Sequence, residues 1–299
     1  MGKIGVKIKD AVHYNITLST FFQRSFPLSN NISTYSRPNN LDDALQMMQD
    51  HDVKPLAGGA HLLAEDVSCE TMDIQKLGLG QVALQDEQLQ IGSTTKLANL
   101  AEFLADHEHP IANFLQKAIH QAGPNTYRHA ATVGGVIARR LPDSELLAAL
   151  LVLDTNLMIY TPQETASAPT RGQAVSLTNY LANNKRPFGL ITQIQLPWAA
   201  GTGSSHRVAR TPADYPIVSI TGWKSESGGV KLAATGLSKR PLRLTSSETK
   251  LSNGLTEPNI QSAATAAQAS NQHAGDFRGD AIYRANMAAI LTRRTLQSL

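Results

Sequence analysis

The pattern of apolar and polar positions predicts alternating helices and strands from about residue 35. Leu41, Ala44, Leu45 and Met48 lie at the spacing of one helix face, and Asn40 before them has the side chain of an N-cap. Short apolar runs bounded by glycine or polar residues predict buried strands. The other elements predicted in this half of the chain are strands at 53–57, 89–93 and 156–160, a helix from residue 97, and a helix from Pro110 to 123.

A change in sequence character near residue 200 predicts the main domain boundary. A Leu-Pro-Trp break at 196–198 is followed by small residues at 199–205, which we expect to form a flexible run. Apolar stretches at 217–223 and 230–235 flank a Ser-Gly-Gly turn, and this pattern predicts an antiparallel hairpin. The remaining sequence predicts two closing helices, at about 258–270 and 280–296.

The length of the chain is sufficient for two domains and an additional arm. Its 299 residues are 41% hydrophobic, which supports an ordinary globular interior. Residues 1–30 lack periodicity and are expected to form an N-terminal arm. The organised units are therefore expected at 31–200 and 206–299.

Composition and charge argue against several classes of function. The net charge of +3, from 27 basic and 24 acidic residues, is too small and too evenly spread to indicate nucleic-acid binding. The longest apolar run, 146–153, has eight residues and cannot span a bilayer, and the N-terminal sequence lacks the apolar core of a signal peptide. Cys69 is the only cysteine, so this chain alone cannot hold a four-cysteine cluster, and the histidines show no metal-ligand spacing. We expect a cytoplasmic protein.

Two glycine pairs set among apolar residues are the main candidates for chemistry. Glycine lacks a Cβ, so its backbone can adopt positive φ and neighbouring N–H groups can converge on one anion. Two such turns in one chain indicate a clamp around a group with phosphates. His61 either faces that group or is a solvated loop residue. The first segment comprises Leu56, Ala57, Gly58, Gly59, Ala60, His61 and Leu62, and the second, at 131–138, contains Thr132, Gly134 and Gly135.

Several motifs, taken in order, resemble one family. They are Tyr35-x-Arg37-Pro38, LAGGAHLL at 56–63, LQIGSTT at 89–95, RHAATVGGVIA at 128–138, PDSE at 142–145, LITQIQLP at 190–197, Arg210 with Asp214-Tyr215, and a terminal helix that begins at Tyr283. Over about residues 33–299, the chain is similar to the FAD-binding (medium) subunit of the molybdenum hydroxylases, the xanthine dehydrogenase and carbon monoxide dehydrogenase type. The order and spacing of the motifs carry this resemblance, because no single motif is specific.

The resemblance implies an α+β fold with FAD between two lobes. It implies a two-lobed FAD-binding domain of the vanillyl-alcohol-oxidase (PCMH) type at 31–200, with lobes at about 31–85 and 86–200. A CO-dehydrogenase-flavoprotein-like domain at 206–299 follows, with a three-stranded antiparallel sheet and helices.

The resemblance also implies a role for each candidate residue. The first glycine segment, 56–62, matches the family's pyrophosphate loop, and Thr132, Gly134 and Gly135 match its second loop, whose hydroxyl and amides complete the phosphate site. The remaining implied contacts are Glu145 with the polar edge of the cofactor, Ile191 with the flavin ring or adenine, His206 with the flavin, and Tyr215, which either stacks near the flavin or packs structurally.

Four positions depart from the family's usual residues. Ala60 stands where the family has threonine or a similar polar residue, and Val136 stands where it has asparagine. His206 lies near the position of a lysine, and Glu145 replaces a shorter aspartate. The backbone part of the predicted site is unaffected by these changes, whereas its side-chain part is weakened.

The implied function is electron transfer rather than side-chain catalysis. A molybdopterin-binding large subunit would oxidise the substrate, a 2Fe-2S small subunit would carry the electrons, and FAD on this chain would pass them to an external acceptor. The implied assembly is a hetero-oligomer, a dimer of such trimers. One alternative is a non-catalytic, flavin-poor assembly subunit with the same fold. A stand-alone flavin oxidoreductase is a third hypothesis, although the residues after 205 are too few for a large substrate domain.

Overall fold

The chain folds into three units, each built on its own sheet, so the expected mixture of helices and sheets is confirmed. The structure, a computed structural model, describes residues 32–49, 53–64, 69–162, 172–185 and 188–299. The arm predicted at 1–30 lies outside the described residues, and the first described strand begins at Ile32.

Lobe 1 is a parallel three-stranded sheet with one helix. It comprises β1 (Ile32–Ser36), α1 (Leu41–Met47), β2 (Val53–Leu56) and β3 (Cys69–Asp73), in the sheet order β1-β3-β2. Asn40 caps α1 as predicted, because its side-chain oxygen accepts a hydrogen bond from the Asp43 N–H at 2.8 Å. Ala44, Leu45 and Met72 belong to its buried core.

Lobe 2 is an antiparallel five-stranded sheet with helices packed on it. Its strands are β4 (Val82–Gln85), β5 (Gln88–Gly92), β6 (Asn156–Tyr160), β7 (Gly172–Ser176) and β8 (Leu190–Pro197), in the sheet order β4-β5-β8-β6-β7. Its helices are α2 (Leu97–Ala105), α3 (Pro110–Gln121), α4 (Asn125–Ala130), α5 (Val133–Arg139), α6 (Glu145–Val152) and α7 (Leu177–Ala182).

The boundary between the lobes lies earlier than expected. β4 pairs with β5 across a two-residue turn in which Asp86 and Glu87 both have positive φ. β4 is therefore part of the second sheet, whereas the expected division at about residues 85 and 86 placed it with the first lobe.

The C-terminal unit is an antiparallel sheet with three helices and a short hairpin. Its strands are β9 (Gly201–Val208), β10 (Val218–Ser225), β11 (Val230–Thr235) and β12 (Leu242–Arg243), in the sheet order β12-β11-β10-β9, followed by the hairpin of β13 (Gly275–Asp276) and β14 (Gly279–Asp280). Its helices are α8 (Thr245–Thr249), α9 (Glu257–Ala269) and α10 (Ala281–Gln297). The predicted hairpin and both closing helices are confirmed.

Two expectations about this unit are corrected. The sheet has four strands rather than three, because the two-residue strand β12 pairs with the outer edge of β11. The small residues from Gly201 onwards form β9 instead of a flexible run. They are small because β9 packs closely on lobe 2: a Cβ on Gly203 would lie 2.4 Å from Cδ2 of Phe114.

Helix α6 connects the core of lobe 2 to the C-terminal sheet. Every residue from Glu145 to Val152 is buried, which explains the continuous apolar run in the sequence. The helix contacts α3 on one side and β10 and β11 on another. Within the described part of the chain, no helix is long and apolar enough to cross a bilayer.

Candidate cofactor site

The first glycine pair forms a tight turn with unused amide donors. It follows β2, and Gly59 adopts the left-handed conformation with φ +72°. Among the described residues, no group accepts a hydrogen bond from the N–H of Gly58, Gly59 or Ala60. Because these adjacent donors are half-buried and lie between packed elements, the turn has the chemistry of an anion site.

Apolar side chains anchor the two ends of this turn. Leu56 is buried at the end of β2, and Ala57 packs against the core of lobe 1. Leu62 begins a single 3₁₀ turn, in which the Leu63 N–H donates to the carbonyl of Gly59 at 3.1 Å. The predicted residues 56–62 therefore form one compact unit around the amide donors.

The second glycine pair lies in the first turn of α5, with a different geometry from the first pair. Thr132 caps the helix, and its Oγ1 accepts a hydrogen bond from the Gly135 N–H at 3.2 Å. The Gly134 N–H donates to the carbonyl of Ser93 at 2.9 Å, and a Cβ on Gly134 would lie 2.7 Å from Cβ of Ser93. These glycines therefore allow close packing, and their amides are already used within the protein. The Thr132 hydroxyl is a donor that no contact of the described residues uses.

The two glycine segments lie next to each other across the two lobes. A Cβ on Gly58 would lie 1.8 Å from the carbonyl oxygen of Ala130 and 3.3 Å from Cγ2 of Thr132. His61 Nε2 lies 2.9 Å from the hydroxyl of Tyr127, so this side chain faces lobe 2. The structure thus brings together the two halves of the predicted phosphate clamp. Sequence reasoning missed Tyr127, which no motif marks.

Glu145 is a buried carboxylate at the start of α6. It is 3% exposed, and neither of its oxygens accepts a hydrogen bond from a described residue. The nearest charge is the guanidinium of Arg207 on β9, with Nη1 at 3.1 Å from Oε2, in an orientation that does not make a hydrogen bond. Burial raises the pKa of the Glu145 carboxyl to about 7, while Arg207 and Lys117 act to lower it. Glu145 can therefore hold a proton near neutral pH.

The side chains of β9 point alternately to its two faces, and this separates His206 from Glu145. Ser205 lines a small cavity beside Glu145, and Arg207 contacts the carboxylate itself. His206 lies on the opposite face, where its Nδ1 is 3.3 Å from Oγ1 of Thr295 on α10. Burial lowers the pKa of the His206 imidazole. The cation beside Glu145 is thus Arg207, which the period-two alternation of a strand could have indicated.

The last two predicted residues lie in different surroundings. Ile191 is buried in the core of lobe 2, on β8 opposite Ile159. Tyr215 is 46% exposed on the loop between β9 and β10, and burial, with a smaller effect of Asp143, raises the pKa of its hydroxyl. Tyr215 thus lies near the PDSE segment, and no described contact joins it to Ile191.

A family model matches most of this region. The model describes the FAD binding domain in molybdopterin dehydrogenase, and it matches residues 28–199, which is more than half of the chain. The chain belongs to this family. It is therefore an FAD-binding protein and a component of an oxidoreductase.

Individual relatives extend the likeness to the C-terminal unit. The chain is 23% identical over 290 residues to the glyceraldehyde dehydrogenase medium chain of Sulfolobus acidocaldarius, covering 89% of this chain and 98% of the relative. It is 26% identical over 223 residues to the uncharacterized protein YgfM of Escherichia coli, covering 71% and 78% respectively. The solved structure of carbon monoxide dehydrogenase from Hydrogenophaga pseudoflava matches with a TM-score of 0.78 and 22% identity, over 89% of this chain and 96% of that chain. This structural match shows a shared fold.

The donor set of the interlobe site fits the dinucleotide of this family. The consecutive amides of Gly58, Gly59 and Ala60 suit the oxygens of a pyrophosphate, because adjacent backbone N–H groups can bind an anion. The Thr132 hydroxyl lies on the facing lobe. The apolar methyl of Ala60 and the buried Val136 add no further donor.

Proposed function

We propose that this chain is the FAD-binding electron-transfer subunit of a molybdenum hydroxylase complex in the cytoplasm. Electrons from a 2Fe-2S small subunit would reach FAD on this chain and leave to an external acceptor, after substrate oxidation on a molybdopterin-binding large subunit. The expected assembly is a dimer of such trimers. The proposal assigns a PCMH-type FAD-binding domain to 31–200 and a CO-dehydrogenase-flavoprotein-like domain to 206–299. The name medium chain, which several relatives carry, supports a heteromeric assembly.

The observation that carries the proposal is the row of amides without a described acceptor at the first glycine turn, a turn that lies against Ala130 and Thr132 of lobe 2. The N–H groups of Gly58, Gly59 and Ala60 would bind the pyrophosphate, and the Thr132 hydroxyl would donate from the other lobe. When bound, the flavin accepts electrons one at a time and releases them singly or in pairs. The chain supplies orientation and exclusion of water at this site.

Other predicted residues would act around the ring system of the cofactor. Glu145 would face its polar edge, and its raised pKa lets the carboxyl carry a proton near pH 7. Arg207, 3.1 Å from the carboxylate, would hold that group in place. Ile191, Tyr215 and His206 remain predicted contacts. Of these, His206 lies on the face of β9 opposite Glu145, 3.3 Å from Thr295 Oγ1.

The competing function is a flavin-poor assembly subunit with the same fold. It is favoured by the apolar residues Ala60 and Val136, and by the second glycine pair, whose amides are already bonded. Each lost hydrogen bond to the cofactor corresponds to about 1 kcal/mol, or roughly a fivefold loss of affinity.

The visible spectrum of the purified full-length chain separates the two functions. Flavin absorption bands, and FAD released on denaturation, are expected from the electron-transfer subunit. A colourless chain that takes up no added FAD would overturn the proposal and leave the assembly role. Co-purification with molybdenum and iron–sulfur subunits tests the heteromer, and its absence in a flavin-loaded chain would support a stand-alone oxidoreductase.

A further inference from the structure

A side-chain hydrogen bond between His61 and Tyr127 joins the first glycine turn to lobe 2. His61 Nε2 and the Tyr127 hydroxyl are 2.9 Å apart, and their rings meet edge to face with centroids 5.5 Å apart. His61 directly follows the amide donors of the turn. Tyr127 lies on α4, which leads into Thr132. The two residues are 66 positions apart in the chain, so this bond exists only while the lobes are in contact.

Tyr127 is held firmly enough to act as a fixed partner. Its ring packs on Gly123, where a Cβ would lie 2.9 Å from Cδ1 of the ring. Its carbonyl accepts the Ala131 N–H at 2.7 Å, and Arg128 donates to the carbonyl of Gly123 at 2.7 Å. Burial raises the pKa of the Tyr127 hydroxyl to about 12, so the hydroxyl keeps its proton.

The contacts between the turn and lobe 2 lie on both sides of the amide donors. Gly58 approaches the carbonyl of Ala130 on one side, and His61 bonds to Tyr127 on the other. Any movement that carries the donors away from Thr132 therefore has to break the bond between His61 and Tyr127. A pyrophosphate bound between these elements would lose contacts in such a movement.

We propose that His61 and Tyr127 form a clasp that holds the first glycine turn against Thr132 and so determines how tightly FAD is retained. This inference rests on the proposed function. Both residues are positioning residues, because they act through the backbone donors of the turn. The clasp adds one hydrogen bond between the lobes, whereas the apolar side chains of Ala60 and Val136 add none. One such bond corresponds to about a fivefold change in the affinity for FAD.

The decisive experiment is a double-mutant cycle on FAD affinity in the full-length chain. Tyr127→Phe and His61→Leu are each expected to raise the dissociation constant of FAD about fivefold, and the double variant is expected to raise it no further. His61→Gln keeps a hydrogen-bonding side chain and is expected to restore most of the affinity. Tyr35→Phe is the matched control, because it removes a 2.6 Å hydrogen bond to Asp73 within lobe 1 and leaves the clasp intact.

A second readout needs no cofactor. The Leu63 N–H bonds to the carbonyl of Gly59, and the Ala64 N–H bonds to that of His61. In the flavin-free chain, Tyr127→Phe is expected to speed hydrogen exchange at these two amides about fivefold, whereas Tyr35→Phe is expected not to. This measurement tests whether the bond between His61 and Tyr127 holds the turn, even if the wild-type chain takes up no FAD. Failure to take up FAD would overturn the proposed function and not the clasp.

Three outcomes would overturn the clasp. Additive effects of the two substitutions would show that His61 and Tyr127 act independently. Unchanged exchange in Tyr127→Phe would show that the bond does not hold the turn. Tighter FAD binding by Tyr127→Phe would show that the pair obstructs the site.

Discussion

Glu145→Gln is expected to abolish a large pH dependence of the stability of this chain. The folded-state pKa of about 7 lies above the ordinary value of 4.5, because the carboxyl is buried without a hydrogen-bond partner among the described residues. Between these two pH values the folded chain binds more protons at Glu145 than the unfolded chain, so stability falls as pH rises. At about 1.4 kcal/mol for each pH unit separating the two pKa values, the total loss by pH 8 is about 3 kcal/mol. Glutamine resembles the protonated carboxyl and does not ionise, so Glu145→Gln is expected not to lose this stability as the pH rises.

The assay is urea unfolding of the flavin-free chain at pH 5 and pH 8, followed by tryptophan fluorescence. The wild type is expected to lose about 2.5 kcal/mol more of its free energy of unfolding over this interval than Glu145→Gln loses, because pH 5 already lies above the ordinary pKa of 4.5. Glu102→Gln, at an exposed position on α2, is the control and is expected to behave as the wild type. Equal pH dependence in all three chains would refute the assignment of the raised pKa to Glu145.

Three further substitutions test contacts at the candidate site and in the C-terminal unit. Gly58→Ala places a Cβ against the Ala130 carbonyl, and it is expected to lower the free energy of unfolding by about 1–3 kcal/mol. In an equilibrium titration it is expected to weaken FAD binding at least tenfold. Gly80→Ala is the control: its methyl has room, and neither stability nor FAD binding is expected to change. Thr132→Ala removes the N-cap of α5 and is expected to lower the free energy of unfolding by about 1 kcal/mol; no loss would contradict the capping role. Arg284→Met, at a fully buried guanidinium, is expected to cost about 3–5 kcal/mol in the same urea assay, and a cost below 1 kcal/mol would contradict its structural role.

The cost expected for Arg284→Met follows from its hydrogen bonds. The guanidinium donates to the carbonyls of Ile217 and Gly236 at 2.5 and 2.9 Å, and to Asp276 at 2.7 Å. A further bond runs from its Nε to the carbonyl of Gly279 at 3.2 Å. Removing the guanidinium takes a donor from three carbonyls and an ion-pair partner from Asp276. These contacts join β10, β11 and the terminal helix α10, so the C-terminal unit is expected to unfold first.

Much of the local structure could be predicted from sequence because local energetics decide it. The N-cap of α1, the start of α3 at Pro110 and the hairpin of β10 and β11 depend on neighbouring residues alone. The short helices α4 and α5 escaped prediction because each is too brief to show a period. The strand β9 escaped prediction because its small residues have little strand propensity. They are required by close packing against Phe114, which lies far away in the sequence.

The sequence by itself predicted two glycine-pair segments as candidates for phosphate binding, because an ordered set of motifs that contains both pairs resembles the family. It also determined that the first pair offers backbone donors. Only the tertiary structure decided which donors are unused: Ser93 and Thr132 consume the amides of the second pair, while those of Gly58, Gly59 and Ala60 have no acceptor in the described chain. It also decided that Arg207 lies beside Glu145 and that His206 lies on the opposite face of β9, against Thr295. The physical reason is that these pairings form between distant segments, and their geometry depends on how the lobes and the C-terminal sheet pack together.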